Sequence, residues 1–277
     1  MKQASELLIT VVIPTRNIAA YLPRALASVV AQGGAWRVVG VDSGSTDGTR
    51  ELWSQFAAAH PGRVTVLDEP ECRLAEAVNV GIVAAAPGLI QWIGGDDQVA
   101  VGAHAEVRAA AAAHPGAGWF VGDILFVDEA GAPIVTRHPE PWSVQRMVMK
   151  NRYFAAATLY HRHFVVRAGL TSPALPRTMD YELWFRLAWL APPVTVGATL
   201  AAFTIRKDAI SGADHAPART AEALRIGRFY AQTWREQGAW RQAWLQNWLL
   251  HWPRHQLSPL ARPLRQRLGR LWPRKDA

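Results

Sequence analysis

Apolar and polar positions along this chain alternate between two periods. Residues 8–13 are a β-branched run that stops at Pro14, and residues 19–32 follow with Leu22, Leu26, Val29 and Val30 at helical spacing, closed by Gly33-Gly34. The theme repeats. Residues 37–41 read as a strand, 43–47 as a loop and 48–60 as a helix, and the strands 63–67 and 89–93 flank a helix over 75–86. Strands alternating with helices of this length predict right-handed βαβ units, hence an α/β fold on a mainly parallel sheet flanked by helices. The Ala-rich stretch 99–114 predicts another helix, and 119–127 with 134–137 predict a hairpin around Asp128-Glu129-Ala130-Gly131, which makes the sheet mixed. A helix over 179–190 and a strand over 194–205 complete a domain placed at residues 1–214, with 215–277 as a helical extension.

In sheets of this kind ligands bind outside the carboxyl ends of the strands. Residues 14–17, 42–47 and 94–97 are all strand-end loops, so they should converge on one crevice. In the last of them an apolar run stops abruptly at Asp96-Asp97. Adjacent carboxylates repel and suit a place where a hard divalent cation compensates them, such as one holding a nucleotide diphosphate, although a solvated turn capping the next helix has the same sequence. The loop from Asp42 to Thr49 offers backbone N–H groups and a strand-end carboxylate, as a base or ribose requires. Asp42 is the expected contact there, while Ser45 and Asp47 suit an ordinary turn before a helix. Asp180 opens an amphipathic helix anchored by Leu183, Trp184 and Leu187. It suits a general base oriented by packing, or a plain helix N-terminal charge.

Half of the 277 residues are apolar, enough for a sizeable core. The single cysteine, Cys72, excludes an internal disulfide and a cysteine-based zinc site and fits a reducing cytosol. Two long apolar stretches, 187–205 and 78–95, are broken by Pro192-Pro193 with Gly197 and by Pro87-Gly88, so no transmembrane helix is expected, and the start lacks the layout of a signal peptide. His161 and His163 alternate as on a strand, but no third ligand is near in sequence, which favours a structural or acceptor-side role over a metal site.

Taken together, these segments resemble the inverting family 2 glycosyltransferases of the GT-A fold. The resemblance runs from about Leu8 to about Ser211 and rests on residues 10–17, 42–49, Glu69-Pro70-Glu71 with 77–81, 92–97, 180–186, and Phe203-Thr204-Ile205-Arg206 before Ser211. It implies a nucleotide-sugar donor, with UDP favoured, bound through Pro14, Thr15 and Asn17 and read by Asp42 or Ser43. Asp96 would lie near the ribose, Asp97 would hold Mg²⁺ or Mn²⁺, and Asp180 would be the catalytic base that deprotonates the acceptor hydroxyl. Relatives commonly carry Asp and Gly where this chain has Glu71 and Arg73, and many carry Asp at Ser43. Arg73 and Asn79 are therefore donor-site candidates whose identity bears on the sugar more than on the reaction.

Charge is unevenly placed. Residues 215–277 hold 12 Lys/Arg against 3 Asp/Glu, while the rest of the chain is close to neutral. Trp240, Trp244, Trp248 and Trp252 recur every four residues among arginines, with Pro253, Pro259 and Pro263 dividing the segment. A basic stripe of this kind over 234–272 suits an anionic membrane surface, and a saccharide or lipid-linked saccharide as acceptor, or it packs on the domain. The expected location is cytoplasmic and peripheral to the membrane. A nucleic-acid-binding protein is the competing class, motivated by the tail and opposed by the nearly neutral carboxylate-bearing domain. A nucleotidyltransferase would need a Gly-rich phosphate loop, and Pro14-Thr15-Arg16-Asn17 is too short for one.

Overall fold

The computed structural model describes residues 7–206 and 216–233. The tryptophan stripe and Ser211 lie outside the described residues. Strands β1 (Ile9–Thr15), β2 (Trp36–Asp42), β3 (Val64–Asp68) and β4 (Leu89–Trp92) alternate with helices α1 (Leu22–Val30), α2 (Thr49–Ala59) and α3 (Leu74–Ala84). They form parallel pairs in the order β3-β2-β1-β4. The sheet then continues as β8 (Thr158–His161), β6 (Trp119–Val127), β9 (Val194–Thr204) and β5 (Gln98–Val99), with β7 (Pro133–Arg137) paired to β6. β8 runs antiparallel to both β4 and β6, and β9 runs parallel to β6.

The period of two along β1 builds both layers of core. Ile9, Val11 and Ile13 face the layer that holds Leu22, Leu26 and Val29 of α1 and Trp53 of α2. Val12 faces the opposite layer, with Val78 and Ile82 of α3 and Leu183, Trp184 and Leu187 of α7 (Met179–Leu190). β1 extends through Pro14 to Thr15 instead of stopping before the proline. The Val12 carbonyl accepts from Ile93 N–H at 3.1 Å, so Pro14 lies on the same side but beyond the last β1–β4 pair, where no ladder donor is needed. Gly40 of β2 also matters, because Trp53 lies directly on it and a Cβ there would fall 2.7 Å from the indole.

Elsewhere the structure departs from the periodicity. The helix expected from residue 99 begins later, as α4 (Ala103–Ala113), because Gln98 and Val99 pair with Ala202 and Ala201 at the sheet edge. The sequence carries no clear period between the hairpin and α7. There the structure places α5 (Val144–Met149), a 3₁₀ turn (Ala155–Ala157), β8 and α6 (Arg162–Arg167). His161 ends β8 while His163 lies in α6, which corrects the expected strand alternation; their rings are 5.4 Å apart, and among the described residues no cluster of metal-ligating side chains forms.

The last helix among the described residues, α8 (Ala216–Thr233), lies against α5 and α7. Its Tyr230 ring stacks on Phe185 at 4.5 Å, and Ile226, Tyr230 and Ala231 are buried in the same core layer as α7. Among the described residues no helix is long and apolar enough to cross a membrane.

Candidate active site

The three strand-end loops do converge. Thr15 Oγ1, at the end of β1, donates to Asp42 Oδ2 (3.0 Å) at the end of β2 and accepts from Trp53 Nε1 (3.0 Å). Ser43 N–H donates to the Thr15 carbonyl at 2.8 Å. Asn17 has φ +52°. Its N–H donates to Ser45 Oγ and its Oδ1 accepts from Thr46 N–H, both at 2.8 Å. Gly95, in the third loop, lies so close to Ile18 and Thr15 that a Cβ would approach them to 2.8 and 3.3 Å.

Within this arrangement Asp42 is 2% exposed. Its oxygens accept from Ser45 N–H, Ser45 Oγ and Thr15 Oγ1, so the carboxylate braces the loop from beneath. The exposed residues of that loop are Thr46 and Asp47. Asp47 fills the turn role expected of it, accepting from Thr49 N–H and Oγ1 and from Ala19 N–H. Burial pushes its carboxyl up, but those donors outweigh it and hold the group below the usual range.

The adjacent carboxylates are treated differently. Asp97 is 5% exposed, with Oδ2 accepting from Gly94 N–H (3.2 Å) and Oδ1 from Thr204 N–H of β9 (3.0 Å). Burial and then the charge of Asp96 push its carboxyl well above the ordinary value, against the pull of those two N–H donors and of Arg206. Asp96 is instead paired through Oδ2 with Arg206 at 2.9 Å, and the Arg206 guanidinium lies 4.5 Å over the Tyr21 ring. Tyr21 continues the link, its hydroxyl donating to Glu129 of the β6–β7 turn. A Cβ at Gly94 would fall 2.4 Å from Asp96 Oδ1, so a side chain there would displace that carboxylate.

The donor set fits a divalent cation that shares its coordination. Each Asp97 oxygen accepts one backbone N–H and keeps a lone pair, Asp96 is adjacent, and hard ions such as Mg²⁺ are held by one or two carboxylates together with substrate phosphates and water.

Asp180 lies on a different element, in the first turn of α7. Asn151 Nδ2 donates to its Oδ2 at 3.3 Å. Burial raises its carboxyl to about 6, opposed by the Tyr181 and Asp180 N–H groups, the Asn151 amide and the Arg219 charge from α8. The start of α7 is itself held by α8: buried Glu222 accepts from Thr178 Oγ1 (2.7 Å) and Arg177 N–H (3.3 Å).

The two donor-site candidates differ. Arg73 is exposed at the start of α3, where its N–H donates to Glu76 at 2.8 Å. The structure gives Asn79 a different task. Its Oδ1 accepts from Thr171 N–H and Oγ1 and its Nδ2 donates to the Thr171 carbonyl, clamping α3 to the segment after α6. The sequence reading left Asn151 unnoticed and gave Arg206 no role. The polar triplet Lys150-Asn151-Arg152 between Met149 and Tyr153 was the one signal for the former.

The family model described as Glycosyl transferase family 2 matches residues 10–170. A PGL/p-HBAD biosynthesis glycosyltransferase of Mycobacterium tuberculosis is 33% identical over 91 residues, which is 32% of this chain and 36% of that protein, so the match spans about a third of each. Among solved structures, S. aureus TarS in complex with UDP-GlcNAc gives a TM-score of 0.71 at 14% identity, covering 94% of this chain and 78% of that one. The mannosyltransferase PcManGT from Pyrobaculum calidifontis, in complex with GDP-Man and Mn²⁺, gives 0.56 at 16% identity, covering 95% and 87%. At such identities the likeness is one of fold: a mixed sheet with flanking helices, the GT-A arrangement.

Proposed function

Since the chain belongs to glycosyl transferase family 2 and is a glycosyltransferase, we propose that it is a metal-dependent, inverting enzyme that moves a sugar from a UDP-type donor to an acceptor hydroxyl in cell-surface polysaccharide or glycolipid assembly. The observation that carries this reading is the division of labour among carboxylates. Asp96 and Asp97 stand side by side next to the three loops, Asp96 paired with Arg206 and Asp97 held by two backbone N–H groups, while Asp180 opens α7 with a neutral amide as its side-chain donor and its proton affinity raised. The UDP and GDP-Man complexes of the structural neighbours, one with Mn²⁺, support the donor class and the ion.

In this reading the nucleoside is taken by exposed Asn17 and by the backbone around Pro14, Thr15 and Ser43, whose side chains are buried, and buried Asp42 keeps these loops in shape. Asp96 lies by the ribose and Asp97 holds the cation. When bound, Mg²⁺ or Mn²⁺ would neutralise charge on the departing diphosphate. Asp180 accepts the proton of the acceptor hydroxyl as that oxygen attacks the anomeric carbon; the bond to the diphosphate breaks, and one displacement inverts the configuration. Arg73, exposed beside α3, is available to the donor phosphate or sugar.

The test is a donor panel. Thermal shift with UDP-, dTDP- and GDP-sugars, with and without Mn²⁺, should show one nucleotide stabilising the protein only with metal; the absence of any shift contradicts the proposal. For the tail we expect residues 234–272 to bind anionic vesicles. A chain cut after Thr233, which keeps α8 packed on the core, should stay active on a soluble acceptor and stop co-sedimenting with vesicles of anionic lipid. Equal sedimentation of cut and full-length chains contradicts the membrane role.

A further inference from the structure

Asn151 lies in the short connection between α5 and the buried Tyr153, a segment that carries no part of the strand-end loops. Its Oδ1 accepts from Tyr153 N–H at 3.1 Å. An amide whose oxygen is committed to a donor must turn its NH₂ the other way, and here that group faces Asp180 Oδ2 at 3.3 Å. The anchor is firm. Tyr153 is buried, its hydroxyl donates to the Glu140 carbonyl at 3.0 Å, and its ring meets Trp119 edge-on at 5.9 Å and stacks on Trp142 at 6.3 Å. Among the described residues Asn151 is the one side chain with a hydrogen bond to Asp180.

We propose that Asn151 is the positioning residue of the catalytic base: its amide, aimed at Asp180 Oδ2, favours the charged form of the carboxylate that accepts the acceptor's proton. This rests on Asp180 being the base. The physical reason is that Asn donates but does not titrate. A hydrogen bond to a carboxylate stabilises the anion, and a neutral donor does so without adding a cation that would compete for the acceptor's oxygen. The site needs that help because burial alone works against the anion.

Other charges around Asp180 are committed elsewhere or act at longer range. On α7 itself, Glu182 is held by Arg186 and by the Tyr230 hydroxyl. At the helix start Arg177 faces Glu222 of α8, and α8 also supplies Arg219, whose charge favours the Asp180 anion. From the segment after α5, Arg152 pairs with Glu140 at 2.6 Å, and Lys150 is exposed. None of these replaces the direct contact made by Asn151.

The experiment is the pH dependence of kcat in the full chain with its metal and donor, for wild type, Asn151→Ala, Asn151→Asp and Asp180→Asn. Asn151→Asp is isosteric and keeps an oxygen for Tyr153 N–H, so it carries the test if the alanine variant does not fold. The acid limb of the profile should move up by about one pH unit in Asn151→Ala, since a hydrogen bond to a charged group is worth about that much. It should move further in Asn151→Asp, where a like charge replaces the donor. Donor KM should stay unchanged, and kcat should recover to within about twofold of wild type well above the shifted limb. A loss of kcat that is equal at every pH, or no change at all, overturns the role of Asn151. Wild-type turnover in Asp180→Asn instead removes the base itself, and Asn151's role with it, whereas an inactive Asp180→Asn beside an unmoved limb in both Asn151 variants rejects only the present inference.

Discussion

The proposed nucleotide side and the proposed acceptor side of this molecule are built by different means. Pro14, Thr15, Asn17 and Ser43 stand at or just beyond the ends of the parallel strands β1 and β2, and the loops are laced by bonds between motif residues such as Thr15, Asp42, Ser45 and Asn17. The proposed base has no such cradle. Asp180 sits on a helix whose surroundings come from two separate pieces of chain: Asn151 after α5, and α8 with Arg219 and Glu222. The contrast is between a nucleoside cradle carried by local motifs and carboxylates held by tertiary packing: Asp96 and Asp97 rely on Arg206 and Thr204, and Asp180 on Asn151 and α8, so part of each set lies beyond the matched family region at residues 10–170.

Substitutions on the two sides should therefore fail differently. The largest effect is expected from Asp180→Asn, which keeps the shape and removes the proton acceptor; kcat should fall by at least about 100-fold. Asp97→Ala should follow, with loss of the metal-dependent thermal shift produced by the nucleotide. It also leaves the N–H groups of Gly94 and Thr204 without their acceptor, at a cost of about 1–3 kcal/mol each if water does not replace it, read in chemical denaturation.

Thr15→Val should be milder. It strands the Trp53 indole N–H and leaves Asp42 Oδ2 with Ser45 Oγ in place of two donors, and should raise donor KM with about 1–3 kcal/mol lost in stability, while leaving the acid limb of the pH profile in place. The mirror-image variant is Glu222→Gln on α8. The amide still accepts from Thr178 Oγ1, so stability should drop by no more than about 1 kcal/mol; kcat should change while donor KM does not. If Glu222→Gln altered donor binding, or Thr15→Val altered the acid limb, the two sides would not be separable. Wild-type kcat itself should rise as pH passes through about 6, because only the deprotonated form of Asp180 accepts a proton.

The same division explains what the sequence revealed. The parallel half was legible because buried strands write continuous apolar runs and strand-end loops write Pro, Gly, Asp and Ser at their borders; Pro14, Asp42 and Asp96-Asp97 all stand at such borders. Asp180 was legible because it is the carboxylate that opens a helix anchored by Leu183, Trp184 and Leu187, although α7 is buried on nearly all sides. The strand Gln98–Val99 was missed, and Val99 placed in the following helix, since a two-residue edge strand leaves no periodic trace and is fixed only by pairing with Ala202 and Ala201 of β9. The pairing of Arg206 with Asp96, the commitment of Asn79 to Thr171 and the bond from Asn151 to Asp180 are all long-range contacts between side chains. No local pattern encodes them. Asp42 shows the intermediate case: its position at a strand end was readable, but not that Thr15 and Ser45 would cover it.

The most direct test of the central claim is to measure donor binding and turnover together on Asp180→Asn, by calorimetry with the UDP-sugar and Mn²⁺ and by product formation on the same sample. The account expects wild-type donor affinity with turnover lost. Donor affinity lost along with turnover, or turnover retained, would contradict the assignment of binding to the strand-end loops and of proton transfer to α7.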